Sequence, residues 1–198
     1  MACGTLTKGR ALDCSRTAGG VKFIYFGVYD QFTDPISTAG IIQSSGEITD
    51  INMSASTSLY RYGCPLGTAT VSEAITGSTE NGSIFYASTV TLMLNGLSKL
   101  DQNEIKLLGQ TKVVIFAQLN AQLAGQDVII GLGVTNGMNL NSGTIDSGAA
   151  FGDRNGYSLT FTGMEPLPFA IVAPYSAVPF DNSTFSNGAN QGLVVDPA

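Results

Sequence analysis

Residues 83–94 read SIFYASTVTLML, and Ile84, Tyr86, Val90, Leu92 and Leu94 fall on one face of an extended chain, with Ser88 among them. A two-residue period of this kind predicts a strand with one face against a core. VKFIYFGVYD, residues 21–30, predicts a strand that is apolar on both sides. Val21, Phe23 and Tyr25 share one face and Ile24, Phe26 and Val28 the other, so both faces are expected to be covered. TKVVIFAQL (111–119) and DVIIGLGVT (127–135) predict two more strands, joined as a hairpin by a connection containing Gly125. A further strand is expected over 47–53. Another spans 157–162, where Tyr157, Leu159 and Phe161 alternate with Ser158, Thr160 and Thr162. The turn signal Asp153-Arg154-Asn155-Gly156 precedes it and Gly163 breaks it.

One stretch has a helical period. GLSKLDQNEIKLLGQ predicts a helix over 99–108, with Ser98 as N-cap, Asp101 in capping-box position and Gly109 as the C′ residue. Leu100, Ile105, Leu107 and Leu108 are expected to supply its buried side. Residues 31–46 read as a turn-rich connection, and 136–156 as a polar, glycine-rich one. Residues 54–82 are rich in Ser, Thr and Gly, interrupted by SLYRYGCP and by a short candidate strand, ATVSEAIT. So long a connection in a compact domain points to an interaction loop. The chain divides into an N-terminal arm (1–20), a β domain (21–172) with the interaction loop 54–82, and an extended C-terminal arm (173–198), where prolines oppose helix. The fold class is mainly β (α+β), an antiparallel β-sandwich or barrel with one packed α-helix.

Composition changes this picture in two ways. Only 12% of the 198 residues are charged, about half the usual share, so much of the surface is expected to be covered by neighbouring copies. The chain has no histidine, which removes Ser-His and Cys-His catalysis and the common zinc sets. Cys3, Cys14 and Cys64 have no CxxC spacing and read as free thiols. No apolar run of about 18 residues predicts a membrane span. MACGTLTKGRALDC lacks an apolar core of signal-peptide length, so the chain is expected to stay in the cytosol until assembly.

The candidate chemistry is thin. GLGVTNG (131–137) lacks the GK[ST] of a phosphate loop and reads as bulges and turns. Asp146, Asp153 and Glu165 read as turn formers and caps, not as a carboxylate site. No catalytic, cofactor-binding or metal-binding residues are assigned, and the chain is expected not to be an enzyme. Nine basic residues against fifteen acidic ones exclude a basic nucleic-acid patch, while net acidity suits a surface that DNA passes without sticking. Charge is polarised along the chain. Lys8, Arg10, Arg16 and Lys22 crowd the start, and Glu165, Asp181 and Asp196 lie near the end. Leu6, Lys8, Arg10, Leu12 and Arg16 are therefore the candidate assembly interface, a basic and apolar arm for an acidic surface on the next copy.

LTKGRALDC, then GG and VKFIYF, resembles the opening of a structural protein of tailed phages of Bacteroidetes-type hosts. NGSIFYASTVTLMLNGLSKLDQNEIKLLGQ, KVVIFAQ, GLGVTNGMNL, NSGTIDSG and GDRNGYSLTFTGMEP continue that likeness over most of residues 4–166. It weakens over 31–80 and after 172. The order of elements is similar to that of phage tail tube proteins. The resemblance implies a virion structural protein without enzymatic activity or cofactor, made in the host cytoplasm and resident in the tail. Its partners would be further copies of itself, in rings of usually six stacked head to tail, and other tail or neck proteins. DNA would pass through the lumen without specific binding, and no membrane is involved. The alternative is a head-decoration or adhesin-type β-sandwich that binds capsid or host glycan.

Overall fold

The computed structural model describes residues 9, 18–33, 41–44, 46–78, 80–188 and 190–197. Among these the chain forms β1 (Val21–Val28), β2 (Ile41–Ser44), β3 (Glu47–Met53), β4 (Leu59–Gly63), β5 (Ala69–Ser78) and β6 (Ser83–Asn95). The helix α1 (Lys99–Leu108) follows, then β7 (Val113–Leu123), β8 (Gln126–Leu132), β9 (Asn139–Asp146), β10 (Gly156–Glu165) and β11 (Ala170–Val172). Three short strands end the chain: β12 (Ser186–Asn187), β13 (Asn190–Gln191) and β14 (Val195–Pro197). The protein is mainly β, with two packed sheets and one helix.

The larger sheet runs β13-β12-β3-β11-β8-β7-β1-β4-β14, with β2 also on β3, and it curls into a half-barrel. Its connectivity demands the curl. β3 and β4 stand at opposite ends of the run β3-β11-β8-β7-β1-β4, yet residues 54–58 alone join them. Six flat strands would set them about 24 Å apart at ~4.8 Å per strand. The link is no extended span, because Thr57 donates from both N and Oγ1 to the Ser54 carbonyl, at 3.3 and 2.6 Å.

The C-terminal segment adds strands at both ends of this run. β12 pairs in parallel with β3, and β14 in parallel with β4. Between them Asn187, buried, donates from Nδ2 to the Thr57 carbonyl and accepts from Ser56 N at 3.1 Å. Phe180 and Phe185 are fully buried beneath this seam. Phe180 meets Tyr25 and Phe116 edge-on, with ring centroids at 5.0 and 5.3 Å. Its φ of 66° is unusual for a bulky residue and is held by the surrounding packing. The segment 173–198, expected as an extended arm, is therefore the plug and seam of the half-barrel over its described residues. Its prolines do exclude helix, but its aromatic side chains have a concave apolar surface to fill.

Both faces of the central strands are buried, as the pattern of β1 predicts. Tyr25, Val114, Phe116 and Ile129 face the plug together with Ile48, Ile51 and Leu59. Ile24, Phe26, Val113, Ile115, Ala117, Ile130 and Leu132 face the second sheet. Gly131 lets the concave side close: a Cβ there would lie 2.5 Å from Ile48 Cδ1 and 3.3 Å from Phe116.

The second sheet is antiparallel, in the order β5-β6-β10-β9. Val90 and Leu92 of β6 and Tyr157, Leu159 and Phe161 of β10 make its buried face. Two expectations are corrected here. Residues 54–82, read as an interaction loop, contain the whole of β4 and of β5. Their Ser and Thr residues sit on the open side of an edge strand, where small and β-branched polar groups fit as well as they do in a loop. Likewise NLNSGTID, read as connection, is the opposite edge, β9.

Helix α1 begins as predicted, with Ser98 Oγ accepting from Asp101 N at 3.0 Å. Gly109 ends it at a right-handed φ of −70°, its N–H on the Ile105 carbonyl. Only Ile105 and Leu108 pack against the core between the sheets. Leu100 is 78% and Leu107 47% exposed, contrary to the expected four-residue apolar side. At 100° per residue, positions 100 and 107 share a face that points well away from 105 and 108, so one layer cannot cover all four.

Candidate assembly surface

The outer face of the second sheet is built by strand register. Thr70, Thr91, Thr160 and Ser142 lie side by side across β5, β6, β10 and β9. The next row is Ser72, Thr89, Thr162 and Asn139, and a third holds Met93, Ser158 and Thr144. The charge on this face is Asp146, at the end of β9, and the aromatic ring is Phe85, near the β5–β6 turn. Among the described residues the result is a hydroxyl-covered wall that offers phosphate no cation and nucleobases little to stack on.

Both edges of this sheet, β5 and β9, carry no further strand among the described residues. A long unprotected edge is a site for pairing with another chain. The β5–β6 hairpin also overhangs the half-barrel. Ile75 and Ile84, on the face that is buried farther along, are 69% and 59% exposed.

The glycine loop 131–137 does bind an anion, and the anion is the protein's own. Glu165, buried at the end of β10, accepts from Thr135 N at 3.1 Å and Asn136 N at 2.8 Å. Burial pushes the Glu165 carboxyl above its ordinary range, and the loop amides pull it part of the way back. Nearby Glu73 accepts from Ser88 Oγ at 3.0 Å and from Phe169 N at 3.2 Å. The other two carboxylates weighed from the sequence shape the β9–β10 turn. Asp153 accepts from Ala149 N and Ala150 N, and Asp146 from Gly148 N. Asp181 accepts from Ser176, Ala177 and Val178, which holds its carboxyl far below the usual range.

Leu6, Lys8, Arg10, Leu12 and Arg16, the candidate assembly interface, lie outside the described residues, as do Cys3 and Cys14. Of the acids expected to receive that arm, Glu165 and Asp181 are already engaged by their own loops. Lys22 is engaged too, on Asp127 at 2.6 Å, and this contact is the first cause of the lowered Asp127 pKa. Gln118 extends that contact inward, donating to Asp127 at 2.8 Å and accepting from the Tyr25 hydroxyl at 2.7 Å. Cys64 is a free thiol that burial pushes up to about 11, which leaves little reactive thiolate. Among the described residues no helix is long and apolar enough to cross a membrane. In comparisons with known proteins, no family model, curated protein or solved structure matches the chain.

Proposed function

We propose that this protein is a virion structural subunit that assembles into stacked rings, forming a phage tail tube through which DNA passes. The observation that carries the reading is the second sheet, with two open edges and an outer face of hydroxyls. Strand directions alternate along β5, β6, β10 and β9, so the two edge strands run opposite ways. A copy related by rotation alone then lays its β9 antiparallel to β5, and the sheet continues from copy to copy. Six copies would give a closed wall with a backbone diameter of about 37 Å at ~4.8 Å per strand, widened further by strand tilt. The hydroxyl face would line the lumen and let a polyanion pass without being held. The low charge content of the chain supports large buried contacts between copies.

Negative-stain microscopy of the purified full-length chain tests this. Six-fold rings or tubes are expected. A population of monomers or trimers at all concentrations would overturn the reading and favour a head-decoration or adhesin role.

A further inference from the structure

We propose that a groove beside α1 receives residues 5–12 of a neighbouring copy, so that each subunit is strapped to the next by its N-terminal segment. The inference rests on the stacking of copies proposed above. Phe26, Tyr62 and Val113 floor the groove, Leu107 and Leu108 form one wall, and its volume is about 200 Å³. Its mouth is open, with Tyr60 42% and Leu107 47% exposed. Glu104 stands on the rim. Asp101 lies one helical turn earlier, and burial first, then these two carboxylates, push the Tyr62 hydroxyl up to about 12.

An apolar slot with an acidic rim fits an apolar side chain flanked by cations. Residues 5–12, TLTKGRAL, carry that chemistry, with Leu6 and Leu12 for the slot and Lys8 and Arg10 for the rim. The helix thus supplies the acidic acceptor that Glu165 and Asp181 cannot.

Geometry favours a neighbour as the donor. The chain enters β1 at Val21, whereas the groove lies at the other end of that strand, beside Phe26 and Val28. The eight residues of β1 put its two ends about 23 Å apart. Copies stacked head to tail along this direction bring the N-terminal exit of one beside the groove of the next. An extended segment covers up to about 3.5 Å per residue, so reach does not limit the contact.

The test places p-benzoylphenylalanine at Leu107, an exposed position, in the full-length chain. Equal amounts of ¹⁵N-labelled and unlabelled protein are mixed, irradiated and mapped by mass spectrometry. Cross-links from position 107 to residues 5–12 are expected, about half of them in mixed-isotope pairs. Leu6→Ser with Leu12→Ser should lower their yield at least tenfold with unchanged thermal melting. Glu104→Lys and Arg10→Glu should each reduce the yield and together restore it. Cross-links to another segment, none at all, or same-isotope pairs alone would overturn the strap. The two readings separate cleanly. Tubes that form without the 107-to-arm cross-link leave the tube and remove the strap, while the cross-link in pairs that never build rings does the reverse.

Discussion

In the curled sheet, neighbouring residues of one strand bury in opposite directions: Tyr25 and Phe116 toward the plug, Ile24, Phe26 and Ile115 toward the second sheet. In the four-stranded sheet only one direction is buried, and Thr89, Thr91, Thr160 and Thr162 look outward from strands just as regular. Among the described residues the first sheet ends in short strands of the C-terminal segment, β13 beside β12 and β14 beside β4, whereas the second ends in two long strands, β5 and β9. Regular strands alone do not make a finished surface. The half-barrel takes its end strands from its own C-terminal segment, and the four-stranded sheet keeps long edges that, among the described residues, no strand covers.

This contrast can be broken most decisively at the plug. Phe180→Ala should destabilise the fold by about 3–5 kcal/mol, because it empties the centre of the concave core. Thr91→Ala on the outer wall should stay within about 0.5 kcal/mol of the parent. Urea denaturation compares them, and similar midpoints for the two variants would remove the distinction between the sheets. Gly131→Ala comes next, at about 1–3 kcal/mol from overpacking against Ile48. Gly152→Ala, in open space in the β9–β10 turn, is its neutral counterpart.

A smaller effect on stability, with a change in behaviour, is expected at Thr160. Thr160→Lys should fold within about 0.5 kcal/mol of the parent. In the proposed tube the assembled variant should retain duplex DNA at low salt and release it as salt rises, and the parent should retain none. Equal DNA retention by both would show that the wall does not face the channel.

The smallest effects are those of pH, and they oppose one another. Asp181 and Asp127 have lowered pKa values, so their stabilising contribution is present above the ordinary aspartate range and is lost as pH falls through the lowered values. Glu165 has a raised pKa. Its contribution is most favourable below the ordinary glutamate range, and stability is given up as pH rises through the raised value. Asp181→Asn should flatten the loss toward acid, and Glu165→Gln the loss toward neutrality. Denaturation midpoints across pH read both slopes.

What could be read from the sequence follows the same division. β1, β6, β7, β8 and β10 are long and apolar in a period of two, and α1 carries its own cap, so each is visible locally. β5 and β9 pair only at their inner side and expose Ser, Thr and Asn, the residues that also build loops. Their identity as strands depends on β6 and β10 beside them. The plug is harder still, since nothing local in AVPFDNSTF marks Phe180 and Phe185 as the centre of a core. The alternation from Tyr157 to Thr162 shows one row of the hydroxyl face, but the ladder across four strands exists only once register is set. The leucines of α1 were individually visible, and the angular spacing that splits them into two faces decides which are buried.

The seam also sets a clock. Val195 leaves the ribosome roughly 10–35 s after Val21, at ordinary rates of synthesis. Throughout that interval the strands that will hold Phe180 are made and the residue that fills them is not. A chain interrupted before Phe180 would keep Tyr25 and Phe116 uncovered and would lack β12 and β14, which pair with β3 and β4. Incomplete translation products would therefore be marked by an open aromatic trough, the kind of surface that chaperones and proteases recognise.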